Sequence, residues 1–547
     1  MSPVTAGATS APQPVVASQE DRAILHSLVA AQLADYRGEP SLSLRHWRRL
    51  ESLLPTVSNL DRKLLTQAIA AGDMKSAPQY ALRLWNSGDY KLDARIILIA
   101  HGVRRADWVA VERFANTELN SQQTLEWERM FGPIVRGWAA VGRKDARGIA
   151  QAMTATARFT HPMLQTHEAM MYLALRQKEQ AEKIALVIRP VDRASQLAAV
   201  QLVSELRAAG LASSADTLQS RIALLKAPLM DAALLLPTQR INTAASGLGH
   251  WFALMGDSFS RIGHDMDTPA MSLANAALML NASDWNARLL LAKEYSASQR
   301  WDGGLNMLSS SRKAPELIWL RRAELLLEKG QVQAAIAEAR KAIHPADTSR
   351  PLLVMHADFI RKTGDLIETD TAYLRLLHHL STTGDDPNLE ALTLIARAEL
   401  HMAAHPWPEI SPWIEKAVSL APNNPTVLNF AGYSAIERRL NLTNALNFIV
   451  KASEKEPNNP NILDSLGWAY YLTERYDDAV PLLEKAWRGE ASNSIIAEHL
   501  GDAYWTVGRK FEARYMWRAA LFLATDDMTS RLEPKIADGL TDATAAP

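Results

Sequence analysis

The fold is decided by a stretch near the end of the chain, where residues 461–470 read NILDSLGWAY and residues 495–504 read IIAEHLGDAY. Gly467 and Gly501 are 34 residues apart in these two copies, and the alanine and tyrosine that follow each glycine keep the same spacing. An earlier copy at 426–435, TVLNFAGYSA, lies 35 residues before the first. Several positions that repeat in phase at one period indicate a repeated structural unit.

The residue types at the repeated positions describe two antiparallel helices joined by a short turn. Gly467 and Ala479 are small and stand where the two helices of a unit would cross closely, whereas Tyr470 and Leu483 can fill the space to the next unit. This period with these residue types is typical of the tetratricopeptide repeat. Because one helical pair cannot bury its apolar face alone, neighbouring pairs must stack. We therefore predict an all-α fold, an α-solenoid (superhelix) of tetratricopeptide and tetratricopeptide-like helical hairpins.

The clarity of the repeat varies along the chain and predicts its organisation. The pattern is clearest at 425–524, returns less regularly from Trp285, and drifts in phase before residue 226. Beyond Asp527 the pattern is lost, and residues 541–547 are expected to fray. The predicted segments are a disordered lead-in (1–20), irregular repeat-like helices (21–225), a junction (226–245), repeat-like hairpins (246–380), a linker (381–387), C-terminal repeats (388–528) and a tail (529–547).

The composition of the chain limits the classes of function that are possible. The 547 residues carry 59 basic and 60 acidic side chains, so no net field attracts nucleic acid and no nucleic-acid partner is expected. There is no cysteine, which excludes disulfides, thiolate metal sites and a cysteine nucleophile. No apolar run approaches the ~18 residues that cross a bilayer, so no transmembrane segment is predicted. Residues 1–19 lack lysine, arginine and an apolar core, and do not form a signal peptide.

Sequence motifs for catalysis or cofactor binding are not found. Gly247-Leu248-Gly249 resembles part of a phosphate-binding loop, but no strand pattern precedes it and the third glycine is missing, so a helix start or a close helix crossing is favoured. His401 and His405 have a helical spacing that suits a divalent metal, yet no third ligand is evident nearby. We predict no catalytic residue, no metal site and no cofactor.

The candidate binding residues lie on the first helix of each clear hairpin, which in this repeat class lines a concave groove. Its inward positions keep to one helical face, and here they are aromatic and acidic with no lysine or arginine. The candidates are Asn429, Tyr433, Asp464, Trp468, Tyr471, Glu498, Asp502 and Trp505. Such a groove would repel a terminal carboxylate and suits a segment with basic or amide groups laid across its tryptophans. The alternative is that these side chains only pack the end of the solenoid.

Residues 422–524 resemble the C-terminal part of large tetratricopeptide proteins of Gram-negative envelopes. The similar text includes ILDSLGWAY at 462–470 and EHLGDAYW at 498–505. Some of those proteins are outer-membrane lipoproteins that act as adaptors for carboxy-terminal processing proteases. The resemblance implies a protein partner, with a processing protease as one example, and a periplasmic or outer-membrane location. This chain has neither their export signal nor their lipidated cysteine, so it is expected to begin downstream of the full N-terminus or to be a member that stays inside.

The leading functional hypothesis is a non-enzymatic scaffold or adaptor that captures a protein or peptide segment in the groove. One alternative is an envelope assembly factor, for example in polysaccharide export. The other is an enzyme with a site in the irregular N-terminal half. A pocket there with converging carboxylates and a shifted pKa would favour the enzyme.

Overall fold

The computed structural model describes residues 18–54, 60–115, 126–154, 161–223, 236–263, 267–309, 314–344, 348–524 and 526–546. Within these ranges the ordered elements are helices, paired into antiparallel hairpins, and no strand occurs. The predicted all-α solenoid of hairpins is confirmed. None of the described helices combines the length and apolarity needed to cross a bilayer. The predicted lead-in at 1–17 and the junction at 226–235 lie outside the described residues.

The chain divides into two compact units, Met1–His344 and Pro345–Pro547. The helices of the N-terminal unit are α1 (Gln19–Tyr36), α2 (Pro40–Leu53), α3 (Leu60–Ala71), α4 (Ala77–Asn86), α5 (Leu92–Arg104), α6 (Trp108–Ala115), α7 (Glu126–Gly142), α8 (Ala146–Thr154), α9 (Pro162–Ala174), α10 (Lys178–Ala185), α11 (Arg193–Ala208), α12 (Ala212–Ala223), α13 (Ala244–Phe259), α14 (Asp267–Leu280), α15 (Trp285–Ala297), α16 (Trp301–Met307), α17 (Glu316–Glu328) and α18 (Val332–Ala339).

The helices of the C-terminal unit are α19 (Arg350–Lys362), α20 (Leu366–Thr383), α21 (Pro387–His401), α22 (Trp407–Leu420), α23 (Pro425–Glu437), α24 (Leu442–Lys455), α25 (Pro460–Leu472), α26 (Tyr476–Gly489), α27 (Ser494–Thr506), α28 (Lys510–Leu523) and α29 (Asp526–Asp538). We call the first helix of each hairpin, the odd-numbered α19 to α27, an inner helix, and the second an outer helix.

In the N-terminal unit the hairpin α13–α14 packs against helices from much earlier in the chain. Helix α14 contacts α3 and α5, and α13 contacts α7, α9 and α11. The amide of Asn275 donates to Ile69 O at 3.2 Å, and the guanidinium of Arg300 donates to Ala70 O at 3.2 Å. Both acceptors are carbonyls of the last turn of α3, where the helix supplies no donor four residues on, and Ile69 O also accepts from Gly72 N. Long-range packing therefore closes this unit onto itself.

Gly247 and Gly249 lie on α13, one of the two helices that make this long-range packing. Thr243 and Ser246 form a capping box that starts α13, so the glycines lie in its first turns. A Cβ on Gly247 would overlap the ring of the buried Trp138 from α7. The prediction of a helix start with a close helix crossing is confirmed, and the glycine allows the tryptophan to fill the space between the two helices.

The three clear hairpins of the C-terminal unit begin and cross as their sequence indicates. Asn424, Asn459 and Asn493 cap α23, α25 and α27, with a side-chain oxygen accepting from backbone N–H groups of the first turn. A Cβ on Gly467 would lie 2.7 Å from the Leu483 side chain, and one on Gly501 would overlap Trp517. The two helices of each hairpin can approach this closely only without a side chain at the crossing.

The end of the chain is more ordered than the sequence suggests. Residues 526–538 form α29, which packs on α28. The stretch predicted to fray is instead a hydrogen-bonded turn up to the last described residue, with Ala545 N donating to Thr541 O at 2.9 Å. Ala546 is buried and its N–H donates to Asp502. The expectation was wrong because these bonds depend on a helix two elements earlier, which local periodicity does not reveal.

Candidate functional site: the inner helices of the C-terminal unit

The eight candidate residues lie on α23, α25 and α27 at equivalent positions of successive hairpins. Asp464, Trp468, Glu498 and Asp502 are buried, whereas Asn429, Tyr433, Tyr471 and Trp505 keep part of their surface exposed. The exposed fraction decides which of them a ligand can touch in this conformation. Binding by all eight stays a prediction, and the four partly exposed side chains are its accessible part.

Trp468 lies at the centre of a stack between α25 and α27. Its ring is parallel to Tyr471 at 4.6 Å on one side and to His499 at 4.1 Å on the other. His499 Nδ1 is 3.0 Å from Asp464 Oδ1, so the carboxylate orients the imidazole within the stack. Burial raises the pKa of Tyr471 to about 12, which keeps its hydroxyl neutral at physiological pH. The stack joins two hairpins and leaves one edge, Tyr471, toward solvent.

Glu498 and Asp502 bind two basic residues of the chain itself. Arg531 of α29 donates to both oxygens of Glu498 at 2.8 Å each. The fully buried Lys535 donates to Glu498 at 2.7 Å and to both oxygens of Asp502 at 2.8 Å. Asp502 also accepts from the indole N–H of Trp517 at 2.8 Å. The acidic pair thus anchors α29.

The protonation of this network follows from its burial and its partners. Burial alone would raise the pKa of Glu498, but the bonds from Arg531 and Lys535 outweigh it and hold that pKa below the ordinary value. Burial raises the pKa of Asp502, although Lys535 opposes the change. The buried ammonium of Lys535 is shared by two carboxylates, and neither carboxylate is then left as an unpaired buried charge.

Trp505 lies under the turn that follows α29. A Cβ on Gly539, whose φ is +102°, would overlap the Trp505 ring, so only glycine allows this approach. Nζ of Lys510, which begins α28, lies 3.9 Å from the centroid of the Trp505 ring. The inner surface of the last hairpin is therefore covered by the chain's own C-terminal segment.

The inner surface of the first clear hairpin is less covered. Asn429 Oδ1 is buried yet accepts no hydrogen bond within the described part of the chain. Tyr433 is half-buried beside Glu437, and burial together with that carboxylate raises its pKa, so its hydroxyl stays protonated. The amide oxygen is therefore enclosed, and a bound segment would meet only the parts of Asn429 and Tyr433 that stay exposed.

An open cleft continues along the inner helices α19 and α21. Its volume is about 450 Å³. Apolar side chains including Leu389 and Leu392 line it together with Asp358, Arg361 and Glu399. An apolar floor with a few charged groups is the usual composition of a ligand-binding cleft.

Sequence reasoning missed the basic partners of the acidic positions. Arg531 and Lys535 follow Glu498 and Asp502 by 33 residues and share their spacing of four. This match of opposite charge and equal spacing, about one repeat later, could have predicted that the two pairs bind each other. It was overlooked because residues after 527 carry none of the small and aromatic positions that define the repeat.

The N-terminal unit has a small pocket in which a carboxyl has a perturbed pKa. The pocket is about 60 Å³ and is lined by His250, Asp284 and Arg240 among others. Burial raises the pKa of Asp284 to about 6 and lowers that of His250 to about 4. Asp284 accepts from Ala287 N at 2.9 Å as a helix cap, and the nearby Glu205 accepts from Ile241 N at 2.8 Å. Both carboxylates are thus engaged by backbone donors, which is a structural role.

The histidine pair at 401 and 405 is engaged with carboxylates. His401 Nε2 is 2.8 Å from Asp370 Oδ1, and His405 Nδ1 is 3.1 Å from Glu409 Oε2. Across the part of the chain that the structure describes, no three metal-binding side chains gather into one site.

Comparisons with known proteins give likenesses of fold only. No family model matches the chain, and no curated protein does. The solved Cut9–Hcn1 hetero-tetramer of the APC/C is similar over 96% of this chain and 97% of its own, with 14% identity and a TM-score of 0.35. A tetratricopeptide repeat protein from Parabacteroides merdae covers 46% of this chain and 96% of its own, with 10% identity and a TM-score of 0.36. The MamA protein covers 36% and 98%, with 19% identity and a TM-score of 0.25. At these values the fold assignment rests on the helical hairpins of this chain itself.

Proposed function

We propose that this chain is a non-catalytic scaffold or adaptor that takes up a protein or peptide segment along the inner helices of its C-terminal unit. The observation that carries the proposal is the pairing of the inner carboxylates with basic side chains. Glu498 and Asp502 hold the chain's own helix α29 through its arginine and lysine, which is a precedent for a basic segment on this side of the hairpins. The same inner side continues with partly exposed side chains on α23 and α25 and with the cleft on α19 and α21.

The proposed contacts are the polar and aromatic groups that remain accessible. Asn429 and Tyr433 would contact the segment through the parts of their side chains that stay exposed, and Tyr471 would give an aromatic surface for its side chains. The cleft beside Asp358 and Glu399 would accept an apolar or basic side chain further along the segment. A ligand rich in lysine, arginine or amide groups fits this surface better than an acidic one.

A more specific proposal concerns the partner. The resemblance of residues 422–524 to envelope adaptors makes a carboxy-terminal processing protease the first partner to test. This part of the proposal rests on the resemblance and can fail while the scaffold role stands.

The test is capture of a purified processing protease, and of synthetic basic and acidic peptides, by the immobilised full chain. We expect the variant Asn429→Ala/Tyr433→Ala/Tyr471→Ala to weaken binding by roughly tenfold or more, since aromatic contacts commonly dominate such interfaces. The matched control is Thr443→Ala/Asn447→Ala, which changes exposed residues on the outer helix α24 of the same hairpin.

Three outcomes are decisive. Binding of basic peptides that falls only in the triple variant supports the scaffold and its site. Unchanged binding by a triple variant with intact helicity contradicts the site. Binding of basic peptides without any binding of the protease contradicts the adaptor role alone.

A further inference from the structure

The outer helix α28 presents a row of exposed aromatic side chains. Phe511, Tyr515 and Phe522 expose 82%, 64% and 90% of their surface. They are four and seven residues apart and so lie on one face of the helix, with the exposed Arg518 between the last two. We call these four residues the α28 stripe. Contiguous apolar surface of this kind on a folded protein marks an interaction site.

The preceding hairpins show that the fold does not require this stripe. One period earlier, on α26, the equivalent exposed residues are Asp477, Pro481 and Arg488. One period before that, on α24, they are Thr443, Asn447 and Glu454. Position and exposure are the same in all three helices, and only the chemistry differs. The hairpin does not need the aromatic residues of α28 for its own packing, which leaves contact with another molecule as their role.

We propose that the α28 stripe pairs with the same stripe of a second copy of this chain, with the two helices antiparallel. The spacings within the stripe are four, three and four residues, which is a symmetric sequence. In an antiparallel pair each Phe511 then faces the second copy's residue 522, and each Tyr515 faces its residue 518. A two-fold symmetric interface needs this self-complementarity, because the same patch contributes from both sides.

The charges of the stripe favour the antiparallel pair. Arg518 would lie on the tyrosine ring of the second copy, a cation–π contact that is favourable when shielded from water. A parallel pair would instead place the two arginines against each other. The one acidic residue of α28, Glu512, is bonded to Arg509 at 3.0 Å and does not lie in the stripe.

The area is sufficient for a weak dimer. At about 200 Å² for each aromatic side chain, the exposed fractions give about 470 Å² per copy and about 940 Å² for the pair. Arg518 and flanking residues bring the total close to the ~1,200 Å² at which specific interfaces begin. The dimer should accordingly be reversible and dependent on concentration.

Sedimentation velocity of the full chain over a range of concentrations tests the pairing. We expect reversible dimerisation, weakened roughly 100-fold by Phe511→Ala/Phe522→Ala, because central aromatic residues carry most of such an interface. The control Asp477→Ala/Arg488→Ala changes the equivalent exposed positions of α26 and should leave dimerisation unchanged. A chain that stays monomeric at every concentration overturns the proposal. A second outcome also overturns the proposal. If the chain stays monomeric and binds vesicles of phosphatidylcholine with one-fifth phosphatidylserine through the stripe, the stripe is a membrane-binding surface.

Cysteine cross-linking tests the register without interference, because the natural chain contains no cysteine. In the antiparallel pair, a mixture of the single variants Phe511→Cys and Phe522→Cys places one cysteine of each copy opposite the other and keeps the second pair of phenylalanines, so oxidation of the mixture should give a covalent heterodimer. Either single variant should stay uncoupled, since two copies of position 511 would be about 16 Å apart along the helix axis, beyond the reach of a disulfide. Efficient cross-linking of a single variant would overturn the antiparallel arrangement.

Discussion

The two units of this chain are built from the same helical hairpins but use their inner surfaces differently. In the N-terminal unit, α13–α14 packs against α3, α5, α7, α9 and α11, and the helix faces that meet there are core. In the C-terminal unit, α29 and the turn after it cover the last hairpin, while α19 to α25 keep partly exposed inner side chains. A stacked hairpin thus supplies a surface that either the chain itself or another molecule can occupy.

The difference shows in individual aromatic residues of the two units. Trp138 of α7 is fully buried against Gly247 of a distant hairpin, and its indole N–H lies 3.3 Å from His167 Nδ1. Tyr433 and Tyr471 on the inner helices of the C-terminal unit have no such covering hairpin in the described residues and stay partly exposed. An aromatic residue at an inner position therefore indicates core or ligand surface only once the occupant of that side is known.

The largest effect should come from removing the residue that closes the N-terminal unit. Trp138→Ala should destabilise that unit by about 4 kcal/mol, through lost burial and the cavity left behind. Hydrogen exchange read by mass spectrometry should show reduced protection in α13 and α14 and little change in α25 to α28. Equal loss of protection in both units would contradict their separate packing.

A somewhat smaller effect is expected from the segment that covers the C-terminal unit. Lys535→Met keeps the length of the side chain but leaves Asp502 buried without its cation, which should cost about 3 kcal/mol. The control Arg531→Met removes a half-exposed partner of Glu498 on the same helix and should cost less than half as much. Urea denaturation and protection of α27 measure both. A fully stable Lys535→Met would show that α29 does not depend on this network.

Sequence reasoning could predict the hairpins because their determinants are local. Glycines at the crossings and asparagines at the helix starts act within one unit, and their 34-residue period makes them visible. The closure of the N-terminal unit was not predictable in the same way, because the bond from Asn275 to Ile69 O joins residues about two hundred positions apart.

The candidate site was only partly predictable for a related reason. An inward helical position says where a side chain points, but not what lies there. Glu498 and Asp502 are bonded to Arg531 and Lys535 of α29, whose sequence lacks the repeat pattern. Asn429 and Tyr433 have the same periodic position in an earlier hairpin and remain accessible.

Acidification should affect the two units unequally. Burial, with help from Arg375, lowers the pKa of His356 in the C-terminal unit to about 4, well below its unfolded value near 6.5. A histidine with a depressed pKa stabilises the fold above pH 6.5, and that contribution is lost as pH falls toward 4. In the N-terminal unit the lowered pKa values of His250 and its neighbour His167 act in the same direction, and the raised pKa of Asp284 opposes them.

His356→Gln should therefore reduce the loss of stability between pH 6.5 and 4 by roughly 2 kcal/mol, because the unfolded state no longer takes up the extra proton. The control His378→Gln changes an exposed histidine of α20 and should leave the pH dependence as it is. Denaturant midpoints measured across the pH range give the slopes directly. Identical slopes for His356→Gln and the unchanged chain would mean that His356 is not held neutral in the fold.

The smallest effect on stability, and the one that best defines the open surface, is expected at Asn429. Its Oδ1 has no donor in the described residues, so Asn429→Ala should change the free energy of unfolding by no more than about 0.5 kcal/mol. The equivalent change one hairpin later, Asp464→Ala, leaves His499 without its carboxylate and should cost about 1–3 kcal/mol. If Asn429→Ala is as costly as Asp464→Ala, the asparagine is a structural contact and the accessible inner surface begins elsewhere. If it is neutral but weakens capture of a basic peptide, the two hairpins differ as proposed: one binds its neighbour, and the other is available to a partner.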